Sequence, residues 1–545
     1  MKSQAKRAII KSNTSCYISC FLTSLIKMPL NFLLIYYLAQ MTDFLCAQDY
    51  EKFVGRIPWS FLLILAEAVS SYCVKKEESA LKAKIGYQLR NRVFLQLTKS
   101  NYLNKNNRNT EEILSMYQNK MKLVVDYLSS ITGYLLHPLT CIVGVLYFCT
   151  FSIKLLLVSV IIMPLSSVVF KKFLKRIQEK NQVILESKTA LAKQMKEVVK
   201  GFYNLKAYQL QNAFLQRYQN QTSVLMKEEK ELDKLSAYFS RIFILLRYIP
   251  QLIIPLYGGY LAYTGELTVG QLLAANAAIW YVILPVETLL TLVKSRRTAM
   301  PAIDDICQLL NYELEVKPEE LENNGQSELF LGFYKVGFQY NDQKQVLHNL
   351  NLRLNRKEHI GIIGASGAGK STFIKLLCGF LNKSEGDIKY FGNILDGDNL
   401  LALREKISYM PQAPYAFQGT IREYLTMGKD IPMEAIIEAA KAACSYEFIK
   451  GFPEGFQTRI GSGQLLLSGG QMKRLCLTKI FLEEAELVLL DEPTASLDKE
   501  NREKVKQGIK NICKEKALIV ITHDVSFQNE LDKLYLLEGG GLHEV

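Results

Sequence analysis

Nothing in this sequence is spaced to hold a metal through cysteine. The eleven cysteines are scattered, and Cys16 and Cys20 lie four apart inside an apolar segment. Reduced, packed thiols are therefore expected rather than a metal centre or a disulfide framework. Internal repeats and low-complexity tracts are missing as well, which leaves no repeat architecture to consider. Lys2, Lys6, Arg7 and Lys11 precede the first apolar run, as in a signal peptide, but no small-residue cleavage site follows. The run is too long for a signal core and contains Lys27 and Pro29, so it reads as a retained first membrane helix.

What the chain has is contrast along its length. Its 545 residues are too many for one compact core. Hydrophobic residues make up 49%, yet the mean hydropathy is only +0.05. Residues 14–300 hold apolar stretches near the ~20 residues that span a bilayer, and residues 325–545 read as a soluble α/β domain. The net charge of +13 could signal nucleic acid, but the basic residues crowd 75–108 and 171–206, beside apolar spans. That placement fits the positive charge of cytoplasmic loops, and no nucleic-acid partner is expected.

Six spans are predicted, at 15–42, 57–75, 128–150, 154–174, 241–263 and 270–293. In the polar stretch 76–127, Leu81, Ile85, Leu89 and Val93 recur at helical spacing, so the helices are expected to continue beyond the membrane. Residues 175–240 do the same. The short connections 150–154 and 263–270 lie outside in this topology, and both termini are cytoplasmic. Residues 311–327, with Glu313, Glu315, Glu319, Glu320, Glu322 and Asn323, form an acidic linker between a membrane domain over 1–310 and a second domain over 328–545.

The second domain carries the chemistry. His359 to Ile363 reads as a buried strand running into Gly364-Ala365-Ser366-Gly367-Ala368-Gly369-Lys370-Ser371. A helix from Thr372 follows, the strand–loop–helix context of a phosphate loop. The glycines let backbone N–H groups converge on phosphates at a helix N-terminus. Lys370 is expected to reach the β- and γ-phosphates and Ser371 to ligate Mg²⁺, with Thr372 beside them in the nucleotide site. A second buried strand, Leu487 to Leu490, delivers Asp491 to the metal and Glu492 to the attacking water as general base.

Five further features stand in register with these: Tyr340, Gln412, Leu467-Ser468-Gly469-Gly470-Gln471, Asp498 and His523. The whole set resembles the ATP-binding-cassette (ABC) family over essentially the full chain. The resemblance implies that Tyr340 stacks on adenine, that Gln412 senses the metal and the γ-phosphate, and that His523 contacts the γ-phosphate. It also implies that Ser468, Gly469, Gly470 and Gln471 bind ATP held by a second such domain, and that Asp498 lies at the interface between the two. The membrane half resembles exporter-type half-transporters. Residues 258–270 match the usual link between spans five and six, and residues 197–202 match the start of a cytoplasmic coupling region. Ser462 departs from the pattern, standing where an acidic residue is usual.

The expected architecture is thus multidomain: an all-α transmembrane domain of six helices with long cytoplasmic extensions, then an α/β P-loop ABC ATPase domain. The implied activity is ATP hydrolysis driving export of a peptide, a drug-like amphipathic molecule or a lipid across the plasma membrane by alternating access. ATP and Mg²⁺ are the implied cofactors. The implied partner is a second copy of the chain or a paralogous half-transporter, since one ATP domain lacks a complete site. An importer sharing the exporter fold is an alternative. A soluble ABC ATPase conflicts with the six spans, and an ATP-gated channel conflicts with an intact Asp491, Glu492 and His523. Scarce tryptophan (two residues), many lysines and tyrosines and a single ATP domain suggest a bacterial membrane. No N-terminal peptidase domain is expected, because the first span begins almost at once. Lys27, Arg247, Glu67, Glu287 and His137 are charged or titratable residues in spans and are candidate cargo contacts.

Overall fold

The computed structural model describes residues 9, 11–100, 110–160, 162–312, 314–315, 329–340, 345–390, 393–394, 404–461, 463–495, 497–528 and 530–545. The chain forms two compact units, Met1–Phe94 with Glu111–Leu310, and Leu95–Thr110 with Asn311–Val545. The predicted linker residues Glu313, Glu319, Glu320, Glu322 and Asn323, and the departure at Ser462, lie outside the described residues.

The first unit is helical. Its elements are α1 (Thr14–Cys46), α2 (Tyr50–Lys99), α3 (Met121–Ser129), α4 (Gly133–Cys149), α5 (Ile153–Val160), α6 (Ile162–Lys200), α7 (Gln211–Tyr263), α8 (Val269–Ala278) and α9 (Trp280–Leu310). Four helical stretches among the described residues are long and apolar enough to cross a membrane: Thr14–Cys46, Tyr50–Lys99, Glu112–Cys149 and Val269–Leu310. The predicted spans 154–174 and 241–263 are helical throughout, apart from residue 161, which is not described. Leu81, Ile85, Leu89 and Val93 form one buried face of α2, because residues four apart stack on one side of a helix. The coupling-region match at 197–202 folds as the end of α6, a break at Gly201 and a short helix, Phe202–Ala207.

The sixth span, expected over 270–293, is helical from Val269 to Leu310, with α8 and α9 meeting at Ile279, whose backbone is also right-handed helical. Pro285 in α9 has no N–H for the carbonyl of Tyr281, so a helix can approach the backbone closely there. Gly144 of α4 takes that place: a Cβ on it would lie 2.9 Å from Tyr281 O. Phe32 of α1 fills the adjacent space, with ring centroids 5.0 Å from Tyr147 and 4.9 Å from Tyr281.

The turn before α8 is fixed from a distance in sequence. Thr268 caps α8 in a reciprocal capping box with Gln271. Asp43 of α1 accepts from Thr268 Oγ1 at 2.8 Å and from the Gly270 N–H at 2.7 Å. A Cβ on Gly270 would lie 2.1 Å from Ala39 O, so only glycine lets the two helices meet there.

The second unit contains a six-stranded sheet and a four-stranded antiparallel sheet. Strands β1 (Leu329–Gln339), β2 (Gln345–Asn355), β4 (Glu385–Tyr390) and the short β5 (Asn393–Ile394) form the smaller sheet, in the order β2-β1-β4-β5. The larger has β3 (His359–Ile363), β6 (Ile407–Met410), β9 (Leu487–Asp491), β10 (Ala517–Ile521), β11 (Lys533–Glu538) and β12 (Gly541–Glu544), in the order β12-β11-β3-β10-β9-β6. Its neighbours run parallel except β11 and β12. A parallel sheet covered on both faces needs continuous apolar strands, and all five residues of β10 are buried. Strands β7 (Gly419–Thr420) and β8 (Arg459–Ile460) make a separate pair. Among the helices, α10 (Lys370–Leu377) follows β3, α11 (Ile421–Thr426) and α12 (Met433–Ala442) follow β7, α13 (Gly469–Leu482) precedes β9, and α14 (Lys499–Cys513) joins β9 to β10.

The cysteines differ in exposure. In the second unit Cys378, Cys476 and Cys513 are buried in the two apolar cores and Cys444 is half-buried. In the first, Cys20 and Cys307 are buried, while Cys46, Cys73 and Cys149 are exposed, contrary to the packed thiols expected. Cys46 and Cys149 are the last residues of α1 and α4, where packing ends.

Candidate nucleotide-binding site

Strand register brings the phosphate loop, the acidic pair and His523 to one edge. Ile521 of β10 pairs with Ile362 of β3 on one side and with Asp491 of β9 on the other. The three strands therefore end level, and the loops that leave them converge, as is usual at the carboxyl edge of a parallel sheet.

After β3 the chain turns through Gly367 (φ 84°) and Gly369 (φ 105°) into α10, conformations that glycine adopts without penalty. Gly364 is required for another reason: a Cβ there would lie 2.5 Å from Leu537 O. Ala365, Ser366, Gly367 and Ser371 are exposed, and Ala368 is half-buried. Lys370 folds back on its own loop. Its Nζ donates to the carbonyls of Gly364 and, at 3.2 Å, Ala365, and lies 3.2 Å from His523 Nε2. The Thr372 side chain is buried, with its hydroxyl 3.4 Å from the Tyr340 hydroxyl. The Thr372 side chain thus lies beside Tyr340 in the first turn of α10. Tyr340 also packs edge-on against Phe338, centroids 4.7 Å apart.

Asp491 ends β9, half-buried. Burial first, then the adjacent Glu492 charge, raises its carboxyl above the ordinary value; Lys473, Lys370 and the backbone N–H of Gln412 act in the opposite sense. Gln412 therefore meets the acidic pair through its backbone, and its side chain is exposed. Glu492 adopts the left-handed region, φ 51°, uncommon for a residue with a side chain. Two bonds hold it: its N–H donates to Ile521 O at 2.8 Å, and its carbonyl accepts from Lys473 Nζ at 3.0 Å. Its carboxylate lies 3.8 Å from His523 Nε2.

The signature residues stand at the start of α13, with Ser468 and Gly469 exposed. Ser468 is its N-cap, in a capping box with Gln471, and a Cβ on Gly469 would meet nothing within 4 Å. Asp498 caps α14. The N–H and side-chain amide of Asn501, both at 2.8 Å, hold its carboxyl below the ordinary value.

Sequence reasoning missed two groups. Lys473 is buried one turn into α13 and bridges Glu492 O and, at 3.4 Å, Ala495 O. Burial lowers its pKa against the pull of Glu492 and Asp491. A lysine on the buried face of the helix after the signature was the available clue. The second group lies beside a cleft of about 470 Å³ lined by Glu492, His523, Thr494, Arg502 and Asp524. Asp524 there receives Thr494 Oγ1 at 3.3 Å and sits 3.7 Å from the buried Lys506.

In the helical unit, Lys27, Glu67 and His137 line one cavity; Glu287 does not line it. The side chain of Arg247 lies outside the described residues.

Comparison with known proteins adds the family. The family models for the ABC transporter transmembrane region and the ABC transporter match residues 17–286 and 347–495. YgaD of Bacillus subtilis strain 168, provisionally named a multidrug export ATP-binding/permease protein, is 27% identical over 470 residues, 85% of this chain and 80% of its own. The ATP-dependent lipid A-core flippase of Syntrophus aciditrophicus strain SB is 26% identical over 498 residues, 90% of this chain and 82% of its own. The lactococcin-G-processing and transport protein LagD of Lactococcus lactis is 28% identical over 451 residues, 80% of this chain but 63% of its own length. A bacterial Atm1-family ABC exporter with ATP bound shares the fold, with TM-score 0.83 at 19% identity over 98% of this chain and 95% of its own. With its membrane region and ATP-binding cassette fused in one polypeptide, the chain belongs to the ABC transporter family and has the fold of its exporter-type half-transporters.

Proposed function

We propose that this chain hydrolyses ATP to drive export of an amphipathic substrate, as half of a two-chain assembly in a bacterial plasma membrane with both termini cytoplasmic. The observation that carries the reading is the meeting of Lys370, Asp491, Glu492 and His523 at one sheet edge, with the Ser468 cap displayed on a separate helix. A signature that is exposed at the start of its own helix suits a site completed by a second chain. The names of the relatives, which cover drug, peptide and lipid transport, support a transported cargo.

In this reading the loop N–H groups and Lys370 cradle the β- and γ-phosphates, and Tyr340 stacks on the base. Glu492 accepts a proton from the attacking water, and His523, within reach of Glu492, contacts the γ-phosphate. A divalent cation fits the residues present: Asp491 is half-buried beside a second carboxylate, an unfavourable arrangement that a cation relieves, and the Ser371 hydroxyl is exposed in the same loop. Ser371, Asp491 and Gln412 would hold Mg²⁺, which when bound supplies charge neutralisation at the phosphates. ATP binding favours closure of two such domains and turnover favours reopening, a population shift set by the γ-phosphate.

The test is the ATPase rate of the purified chain in lipid nanodiscs, wild type beside Glu492→Gln. Turnover by the wild type and its loss in the variant is the expected result for a self-sufficient homodimer. A wild type that becomes active only with a second, paralogous chain replaces the homodimer with a heterodimer. A variant that hydrolyses ATP like the wild type overturns Glu492 as base.

A further inference from the structure

The cavity in the helical unit measures about 1110 Å³, large for a small-molecule pocket, and its charges come in matched pairs. Lys27 of α1 and Glu67 of α2 face one another, Nζ to Oε1 3.6 Å, and Lys27 also donates to Ser71 Oγ at 2.9 Å. Lys75, Glu78 and Lys82 line the cavity as well; Lys75 pairs with Glu78 at 3.2 Å, and Lys82 with Asp126, outside the lining, at 2.6 Å. Asn31, His137 and Thr140, which offer hydrogen bonds, also line the cavity, as does an apolar wall of Trp280, Leu284 and Pro285.

The Lys27–Glu67 contact is longer than the ~2.8 Å of a charge-assisted hydrogen bond. Both side chains keep about a third of their surface, 30% and 29%, and both line the cavity. A loose ion pair at the wall of an apolar chamber can exchange partners. The cost of each exchange depends on what enters. A lone cation drawn to Glu67 leaves Lys27 uncompensated where charge is expensive, and a lone anion drawn to Lys27 leaves Glu67 so. An occupant with both charges gives each residue a new partner and leaves the balance intact. A primary ammonium suits Glu67 better than a quaternary one, because it can donate hydrogen bonds.

We propose that the Lys27–Glu67 pair makes this cavity selective for an amphipathic zwitterion, a short apolar peptide with a free amine and a free carboxylate, over lipophilic cations and anions. Glu67 takes the ammonium, Lys27 the carboxylate, and the wall around Trp280 the apolar body. The proposal rests on the export reading for calling the occupant a cargo, but its test uses neither ATP nor transport.

The chain has two tryptophans, Trp59 and Trp280, so Trp59→Phe leaves Trp280 as a reporter inside the cavity. The full chain with this substitution, in nanodiscs without nucleotide, is titrated with Leu-Phe-Leu-Lys(dansyl)-Leu in three forms: both ends free, C-terminally amidated, and N-acetylated. Saturable energy transfer from Trp280 to dansyl is read. The doubly free form is expected to bind about tenfold tighter than either singly charged form, a difference of roughly 1.4 kcal/mol. Lys27→Met is expected to erase discrimination against the amide, and Glu67→Gln discrimination against the acetylated form. The exchange Lys27→Glu with Glu67→Lys is expected to keep the preference. Equal or tighter binding of a singly charged form, displacement by dodecylphosphocholine at lower concentration than by the peptide, no saturable transfer from any form, or variants that weaken all three forms alike would each overturn the proposal. Failure of the hydrolysis reading shows separately, in the ATPase comparison with Glu492→Gln, and failure of export would show as no ATP-dependent accumulation of the doubly free peptide in vesicles carrying the wild type.

Discussion

At the scale of single residues, the acidic pair is held in a state it does not favour alone. Asp491 has its carboxyl raised by burial and by Glu492. Its ionised form therefore weakens the nucleotide-free fold above the raised value, and the penalty vanishes below the ordinary carboxylate value of ~3.9. Asp491→Asn is expected to melt at a higher temperature than wild type at neutral pH without nucleotide, and to lose the stabilisation that ATP with Mg²⁺ gives. The wild-type deficit should shrink as pH falls through that window, which thermal melts of the full chain at several pH values would read. Lys473 acts on the neighbour. Its bond to Glu492 O supports a left-handed backbone, and a hydrogen bond from a charged donor contributes about 1.5–3 kcal/mol. Lys473→Met is expected to lower kcat about tenfold or more with little change in KM for ATP, because the phosphate loop is untouched. An equal rise in KM would show that Lys473 supports binding instead.

At the scale of elements, the phosphate loop and β9 were legible because their signals are local: apolar strand, glycines with a set spacing, helix. The buried face of α2 was legible for the same reason, from Leu81, Ile85, Leu89 and Val93. The features that stayed hidden depend on partners far along the chain. Gly144 packs on Tyr281, 137 residues later, and the pin on α8 comes from Asp43, 227 residues before Gly270. The approach of the Thr372 and Tyr340 hydroxyls to 3.4 Å is another such feature, since 32 residues separate them. The pin carries a prediction. Gly270→Ala places a methyl 2.1 Å from Ala39 O, backbone that cannot move aside, so overpacking of about 1–3 kcal/mol or more is expected. Size-exclusion profiles in detergent should show less monodisperse protein than Gly259→Ala, whose Cβ meets nothing within 4 Å.

At the scale of the whole molecule, the proposed two-chain assembly, with the phosphate loop of one chain facing the signature of the other, would make turnover a property of pairs. If the two sites act together, mixing equal amounts of wild type and Glu492→Gln before assembly leaves about one quarter of the activity, the share of random dimers with two intact copies. About one half would show that each site works alone. The fold of both units was legible because each follows a periodicity the sequence displays; the charge pairing inside the helical unit was not, since Lys27 and Glu67 meet only when α1 and α2 fold together. The sorting of cysteines gives the molecule its own attachment points. Burial pushes the Cys378 thiol up to about 12 and those of Cys476 and Cys513 up to about 11, and a thiol that stays protonated does not react. Cys46 and Cys149 stand open at the ends of α1 and α4. A maleimide dye or spin label at neutral pH would therefore favour the helical unit; in the cassette the half-buried Cys444, whose thiol burial also raises, is the position to replace by serine, after which spectroscopic distances across the membrane half can be read from its native cysteines.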